Sequence, residues 1–302
     1  MITVFGSINL DLIGKISRIP LPGETVPGES FSTAPGGKGA NQALAAKRAG
    51  AMVKLVGAAG KDIMSEQALA LLREGGVELS SVKRLDAQQG VAMIMVDPVG
   101  ENVIGILPGA NGTMTPDDAD KAVAHLTAKD VLVVQQEIPQ AATMRALGLA
   151  RLNGMISILN TAPFLDTTAA VAGTASIVVA NETEFALLAG DTSDLQTAMG
   201  LWATSRRQTI IVTLGQHGAL AATPEVMIHA PALPIVPVDT VGAGDTFVGY
   251  LAAGLDAGLD LEAAMKRAAV AASLACLKPG AQPAVPAAAE VDAAMNSAEM
   301  AL

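Results

Sequence analysis

Short, continuous apolar runs alternate with longer stretches of helical periodicity along almost the whole chain. Six runs have the length and composition of buried strands, at residues 2–5, 53–58, 131–134, 156–159, 177–179 and 210–214. The stretches between them, such as residues 243–257 and 261–275, are typical of helices. Strands that are apolar on both faces and separated by helices usually pair in parallel. The pattern therefore predicts an α/β fold with a mostly parallel central sheet covered by helices on both faces.

Two segments depart from this alternation. Residues 12–33 and 91–107 alternate apolar and polar side chains around turn-forming prolines and glycines, which is typical of antiparallel hairpins. They are either ordinary edge strands or a small antiparallel β lid over the main sheet, inserted from about residues 12–33 and 90–108. We favour the lid, because insertions of this kind usually carry function. A small sheet over the strand ends would exclude water from a site there. No linker is evident, so we expect a single domain over residues 1–302.

Composition narrows the class of protein. The net charge of −10 and an aromatic content of only 2% argue against a nucleic-acid partner or an anionic membrane surface. No apolar run reaches the roughly 18 residues of a membrane span. The chain opens on a predicted strand rather than on a signal peptide. Its single cysteine, Cys276, predicts no internal disulfide and a cytoplasmic location.

The most telling motif lies at residues 239–247, which read DTVGAGDTF. Gly242 and Gly244 allow a tight turn directly before a helical pattern, and the N–H groups of such a helix start bind anions. Asp245 falls where the anion would lie. A carboxylate there either caps the helix or removes the proton from a hydroxyl that attacks phosphorus.

A second glycine motif, GGKGANQ at residues 36–42, also opens a helix. Its glycines allow close backbone approach to a ligand, while Lys38 and Asn41 provide hydrogen-bonding groups. Asn9 and Asp11 leave the end of the first strand, where open α/β sheets bind ligands. This mixture of donors and acceptors suits a polyol; alternatively, the glycines form only a flexible turn.

Two later strand ends carry polar groups. Asn181 and Glu184 are three residues apart at a helix start, where they either cap the helix or hold the water ligands of Mg²⁺. Residues 213–218 read TLGQHG, and their backbone with the Thr213 hydroxyl can meet a nucleotide phosphate. His217 is interpreted as a polar loop residue rather than a catalyst.

These motifs together resemble the ribokinase-like family of sugar and nucleoside kinases, essentially from end to end. The resemblance also includes GSIN at residues 6–9, PGET at 22–25, GAN at 109–111, QEIP at 136–139 and KPGAQP at 278–283. It implies an enzyme that uses ATP to phosphorylate the 5-hydroxyl of D-ribose, giving ribose 5-phosphate. Alternative acceptors are deoxyribose, fructose, a ketosugar acid or a nucleoside. A non-catalytic sugar-binding protein on the same fold is the alternative from another class.

The resemblance also implies roles for individual residues. Asp245 would be the general base, beside an anion hole of Gly242, Ala243 and Gly244. Sugar binding would involve Asn9, Asp11, Gly37, Lys38, Gly39, Asn41 and Glu137. The ATP site would be lined by Asn181, Thr213, Leu214, Gly215, Gln216, His217, Gly218, Gly244 and Ala269. Glu184 would organise Mg²⁺ through water.

The resemblance further implies a K⁺ site next to the anion hole. Its ligands would come from Asp239, Val241, Ala275, Lys278, Gly280 and position 284. Ala284 stands where relatives usually offer a serine, which predicts weaker K⁺ activation. Small-molecule sugar and ATP are the implied partners, together with a second copy of the chain that pairs through the β lid as a homodimer.

Overall fold

A computed structural model describes residues 1–190 and 193–299. Its strands are β1 (Ile2–Phe5), β2 (Asn9–Ile16), β3 (Gly28–Gly36), β4 (Val53–Ala59), β5 (Val82–Arg84), β6 (Gly90–Val96), β7 (Asn102–Leu107), β8 (Val131–Val134), β9 (Ile156–Asn160), β10 (Ile177–Asn181), β11 (Thr209–Thr213), β12 (Ala219–Ala222) and β13 (Met227–Ala230). Its α-helices are α1 (Lys38–Arg48), α2 (Ile63–Glu74), α3 (Pro116–Val123), α4 (Gln140–Leu152), α5 (Thr168–Ala172), α6 (Glu182–Ala189), α7 (Leu195–Arg206), α8 (Ala243–Asp256), α9 (Leu261–Ala275) and α10 (Ala288–Glu299). None of these helices is both long and apolar enough to cross a membrane.

Nine strands form the main sheet, in the order β13-β12-β11-β10-β9-β8-β1-β4-β5. The seven strands from β11 to β5 run parallel, while β12 and β13 add an antiparallel edge. The predicted α/β fold with a mostly parallel sheet is confirmed. The antiparallel edge arises because β11 turns directly into β12 through a short segment, where Leu214 N–H donates to the Gly218 carbonyl at 2.7 Å.

Alternate residues of the strands pack into two apolar layers, one on each face of the sheet. Val131 and Val133 join the layer formed by α1, α2, α8 and α9. Leu132 and Val134 join the opposite layer, with α3, α4 and α7. Burial on both faces explains why these strands read as continuous apolar runs.

Helices α1 and α8 pack unusually close together. A Cβ atom on Gly249 of α8 would lie 2.5 Å from the Cβ of Ala45 and 2.7 Å from the carbonyl oxygen of Gln42. Only glycine permits this approach, which brings the start of α1 to the first turn of α8.

The second sheet has four strands in the order β3-β2-β6-β7. As predicted, residues 12–33 and 91–107 contribute antiparallel hairpins, and the two hairpins join through a parallel pairing of β2 with β6. Asp11 pairs with Ala34 on one side and Ala92 on the other, and Ala92 pairs with Ile106. These four side chains therefore share one face of the sheet.

Candidate active site

The site lies at the carboxyl edge of the parallel strands. β1 lies between β4 and β8, so the strand order reverses there, and ligands of open α/β sheets bind at such a reversal. Residues that directly follow β1 and β8 meet at this edge. They include Ser7 and Asn9 after β1 and Glu137 after β8.

Asp245 occupies the first turn of α8 and is only 8% exposed. Its Oδ2 atom accepts a hydrogen bond from Asn41 Nδ2 at 2.9 Å, and its Oδ1 atom accepts one from Gln42 Nε2 at 2.8 Å. The helix begins at Gly242, whose φ of +78° suits glycine. The structure thus joins the two glycine motifs, 204 residues apart, around one carboxylate.

The backbone at the start of α8 is partly engaged within the chain. Ala243 N–H donates to the Thr240 carbonyl at 3.3 Å, and Thr246 N–H donates to the Gly242 carbonyl at 2.8 Å. The first of these bonds is long, and an anion at the helix start can compete for its donor.

Glu137 is hydrogen-bonded to two of the other residues predicted for the sugar, Asn9 and Lys38, and to Ser7. Its Oε2 atom accepts hydrogen bonds from the Ser7 hydroxyl at 2.6 Å, the Lys38 backbone N–H at 3.0 Å and Asn9 Nδ2 at 3.4 Å. The Oδ1 atom of Asn9 accepts a bond from Asn111 Nδ2 at 2.7 Å, which fixes the direction of its amide. A carboxylate and an amide so oriented can contact the hydroxyls of a polyol.

Glycines bring the start of α1 against the end of β1. A Cβ atom on Gly37, where φ is +88°, would lie 2.6 Å from the Asn9 nitrogen, and one on Gly39 would lie 2.6 Å from the Ser7 nitrogen. A Cβ atom on Gly36 would lie 2.3 Å from Asp11 Oδ1. The motif is therefore a tight junction rather than a flexible turn.

Charges around the site act strongly on two side chains. Burial, with the negative charges of Glu137 and Asp245, raises the pKa of Asp11 to about 7, although Lys38 opposes the shift. Burial by itself would lower the pKa of Lys38, but Asp245, Glu137, Glu184 and Asp11 outweigh it and raise that pKa. Lys38 is thus a cation held among four carboxyl groups.

The shift at Asp11 predicts a pH-dependent stability. Because its folded pKa lies above the ordinary value of about 4, the folded state keeps a proton that the unfolded state loses, so stability falls as pH rises from about 4 to about 7. Asp11→Asn cannot ionise and should escape this loss. We expect the variant to gain about 2 kcal/mol relative to the parent between pH 4 and pH 8, roughly half the full linkage value because the side chain is only partly buried.

Chemical denaturation of both proteins at the two pH values measures this difference. Glu29→Gln, at an exposed carboxylate of β3, is the matched control and should change stability equally at both pH values. An Asp11→Asn variant that gains nothing between pH 4 and pH 8 would contradict the charge arrangement described here.

A large cleft of about 730 Å³ reaches the N-terminus of α8, where Ala243 and Gly244 line it. It is lined by most of the residues predicted for ATP, namely Thr213, Gly215, Gln216, His217, Gly218, Gly244 and Ala269. Leu214 instead packs against the apolar layer of α3, α4 and α7. Sequence reasoning missed the apolar wall formed by residues 232–237, a segment with two prolines and no polar motif.

Asn181 and Glu184 form a reciprocal capping box at the start of α6. Asn181 Oδ1 accepts from Glu184 N–H at 2.8 Å, and Glu184 Oε2 accepts from Asn181 N–H at 3.1 Å. Glu184 Oε2 also accepts from the Thr161 hydroxyl at 2.7 Å. The capping alternative is therefore realised. The negative charge of Glu184 is also one of the causes that raise the pKa of Lys38.

The segments predicted for K⁺ are tied together by Asp239. Its Oδ1 atom accepts from Val241 N–H at 3.0 Å, and its Oδ2 atom accepts from Gly280 N–H at 2.7 Å. Ala275 lies at the end of α9, where its carbonyl accepts from Lys278 N–H at 3.3 Å. Ala284 is fully buried and brings no side-chain oxygen.

Known proteins of similar sequence and fold span nearly the whole chain. Ribokinase of Bacillus subtilis is 36% identical over 96% of this chain and 98% of its own length. Deoxyribokinase of Salmonella typhi is 34% identical over 94% of this chain and 95% of its own length. The structure of Arabidopsis thaliana ribokinase complexed with ribose and ATP superimposes with a TM-score of 0.87, at 30% identity and 97% coverage of both chains.

The pfkB family of carbohydrate kinases matches residues 1–288. This match and the full-length relatives confirm the resemblance inferred from the glycine motifs. The chain belongs to the pfkB family of carbohydrate kinases.

Proposed function

We propose that the protein transfers the γ-phosphoryl group of ATP to the 5-hydroxyl of D-ribose, giving ribose 5-phosphate. One observation carries the proposal. Gly244 of the first turn of α8 lines the large cleft, while Asp245 beside it accepts a hydrogen bond from Asn41, one of the residues predicted for the sugar. A nucleotide bound in the cleft and a hydroxyl acceptor bound next to Asn41 would meet at this turn.

In this proposal Asp245 takes the proton of the attacking hydroxyl, and the N–H groups of residues 242–244 stabilise charge on the transferring phosphoryl group. Asn9, Asp11, Lys38, Asn41 and Glu137 hold the sugar, with Gly37 and Gly39 giving the backbone room. ATP lies in the cleft, which is lined by Thr213, and Asn181 pairs with Thr213 on the neighbouring strand. The single cysteine and the use of ATP suit a cytoplasmic enzyme.

Mg²⁺ is the cation expected with ATP, and it neutralises charge that develops on the phosphates. Glu184 suits a water-mediated contact to it, because its carboxylate is fixed by Thr161 and by the backbone of Asn181. K⁺ would sit between the segments that Asp239 joins, near the carbonyls of Val241, Ala275, Lys278 and Gly280. This fit is incomplete, since both Asp239 oxygens already accept N–H groups and Ala284 offers no oxygen, so we expect K⁺ to activate weakly.

ADP release with MgATP across pentoses, hexoses and nucleosides tests the acceptor. Clear preference for ribose is the result that the ribokinase relatives suggest, and it would support the proposal. Preference for deoxyribose would match the Salmonella relative instead. ATP binding without turnover on any acceptor would favour the idle sugar-binding alternative.

A nucleoside is the second candidate, because an apolar cavity of about 290 Å³ adjoins Glu137. Its walls include Ile106 of β7, Pro108, Ile138 and Pro139. Phe31 of β3, an aromatic side chain of the lid, pairs with Gly14 and so lies on the opposite face of the lid from Asp11. Turnover of nucleosides above that of free ribose would select this candidate.

We further propose that two copies pair through the lid. β7 is an edge strand whose residues are all exposed, among them Ile104 and Leu107, and such an edge readily pairs with another chain. We expect light scattering at micromolar concentration to give twice the chain mass. Ile104→Lys should shift the protein to monomer, whereas Leu152→Lys, at an exposed position of α4, should not. A monomeric parent protein would contradict this proposal.

A further inference from the structure

Both oxygens of the Asp245 carboxylate are held by neutral side-chain amides. Asn41 donates to Oδ2, and Gln42 donates to Oδ1 while also donating to Asn160 Oδ1 at 3.1 Å. Two donors on different oxygens fix the rotation of a carboxylate as well as its position. Neutral amides do this with weaker bonds than a lysine or arginine would form, so they orient the group without supplying a counter-charge.

The two amides are themselves held by further amides. Gln135 Nε2 donates to Gln42 Oε1 at 2.6 Å, so the NH₂ group of Gln42 must face Asp245. Gln282 Nε2 donates to Asn41 Oδ1 at 3.1 Å, which does the same for Asn41. Gln42, Gln135 and Gln282 are all fully buried. Such buried polar groups are costly unless they are paired. The NH₂ groups of Gln135 and Gln282 are paired in chains of hydrogen bonds that end at the Asp245 carboxylate, whereas their Oε1 atoms have no partner among the described residues.

We propose that Gln42 and Gln282 are positioning residues for phosphoryl transfer. Gln42 orients Asp245 directly, and Gln282 orients it through Asn41 from the segment that follows α9. This inference rests on the proposed role of Asp245 as general base. Catalysis by a positioned base depends steeply on geometry, since a displacement of about 1 Å can cost about 10²-fold in rate.

The test compares kcat and KM of Gln42→Met and Gln282→Met, in which a side chain of similar length lacks the amide. We expect Gln42→Met to lower kcat about tenfold or more while the KM for the sugar stays within about threefold, because Gln42 contacts the proposed base and is not among the residues proposed to contact the sugar. Gln282→Met should lower kcat less and also raise the KM for the sugar, because Asn41 is proposed to contact it.

Gln208→Met is the matched control. Gln208 is also a buried glutamine, but it bonds Trp202 and the carbonyls of Ala172 and Ala175. We expect it to lower Tm without changing kcat. If Gln42→Met and Gln282→Met lower Tm as the control does but leave kcat within about twofold of the parent, the two glutamines are only structural and the proposal is overturned.

The two substituted residues lie on different segments of the chain. If one variant does not fold, the kinetics of the other variant still test the proposal. A parent enzyme that turns over no acceptor would refute the proposed function. A parent that turns over while both variants keep its kcat would refute only the positioning role.

Discussion

Asp245→Asn should lower kcat by at least about 10²-fold, with ATP binding retained. The substitution removes the proton acceptor, and general bases contribute about 10²–10⁴-fold. It also replaces one carboxylate oxygen by an NH₂ group. That group would face the NH₂ of either Asn41 or Gln42, both of which donate to the native carboxylate. ADP release measures the loss, and a thermal shift with MgATP measures retained binding.

Asp256→Asn is the control for this substitution. Asp256 lies at the opposite end of the same helix, α8, where it pairs with the amino group of Met1 and does not line the cleft. It should leave kcat unchanged. Turnover by Asp245→Asn within about tenfold of the parent would remove Asp245 from its proposed role.

Much of the fold follows from periodicity in the sequence. The helix predicted at residues 261–275 is α9 with the same bounds, and the hairpin predicted over residues 91–107 is formed by β6 and β7. The prediction left out β5, β12 and β13, and the first two show the reason. β12 reads ALAA, which lacks the β-branched residues typical of strands, and β5 has only three residues. Both form because a neighbouring strand offers them an edge, which is a tertiary effect.

The parts of the candidate site that contain glycine motifs could be predicted from the sequence, and the surrounding glutamine contacts could not. Gly37 and Gly242 signal turns that need positive φ, and such signals can be read locally. The roles of Gln135 and Gln282 could not be read, because a glutamine in sequence gives no sign of its distant partner. Gln135 contacts Gln42 across 93 residues of chain, and Gln282 contacts Asn41 across 241 residues, so no local pattern indicates either contact.

Gly242→Ala should lower kcat about 10²-fold and also destabilise the protein. The φ of +78° at this position costs alanine about 1–2 kcal/mol. A Cβ atom would also lie 2.7 Å from both Cα and Cβ of Ala281, so the backbone of one segment must move. Movement of the turn displaces the N–H groups proposed for the phosphoryl group, and movement of Ala281 displaces its neighbour Gln282. Steady-state kinetics and chemical denaturation measure the two effects.

Gly258→Ala separates backbone strain from close approach. Gly258 follows the other end of α8 with a φ of +82°, yet a Cβ atom there would meet nothing within 4 Å. Gly258→Ala should lower the free energy of unfolding by about 1–2 kcal/mol, as backbone strain alone requires, and should leave kcat unchanged. If Gly242→Ala loses no more kcat than Gly258→Ala, the contact with Ala281 has no bearing on catalysis. A larger kcat loss at Gly242 alone would mean that the turn must lie against Ala281 for phosphoryl transfer to occur.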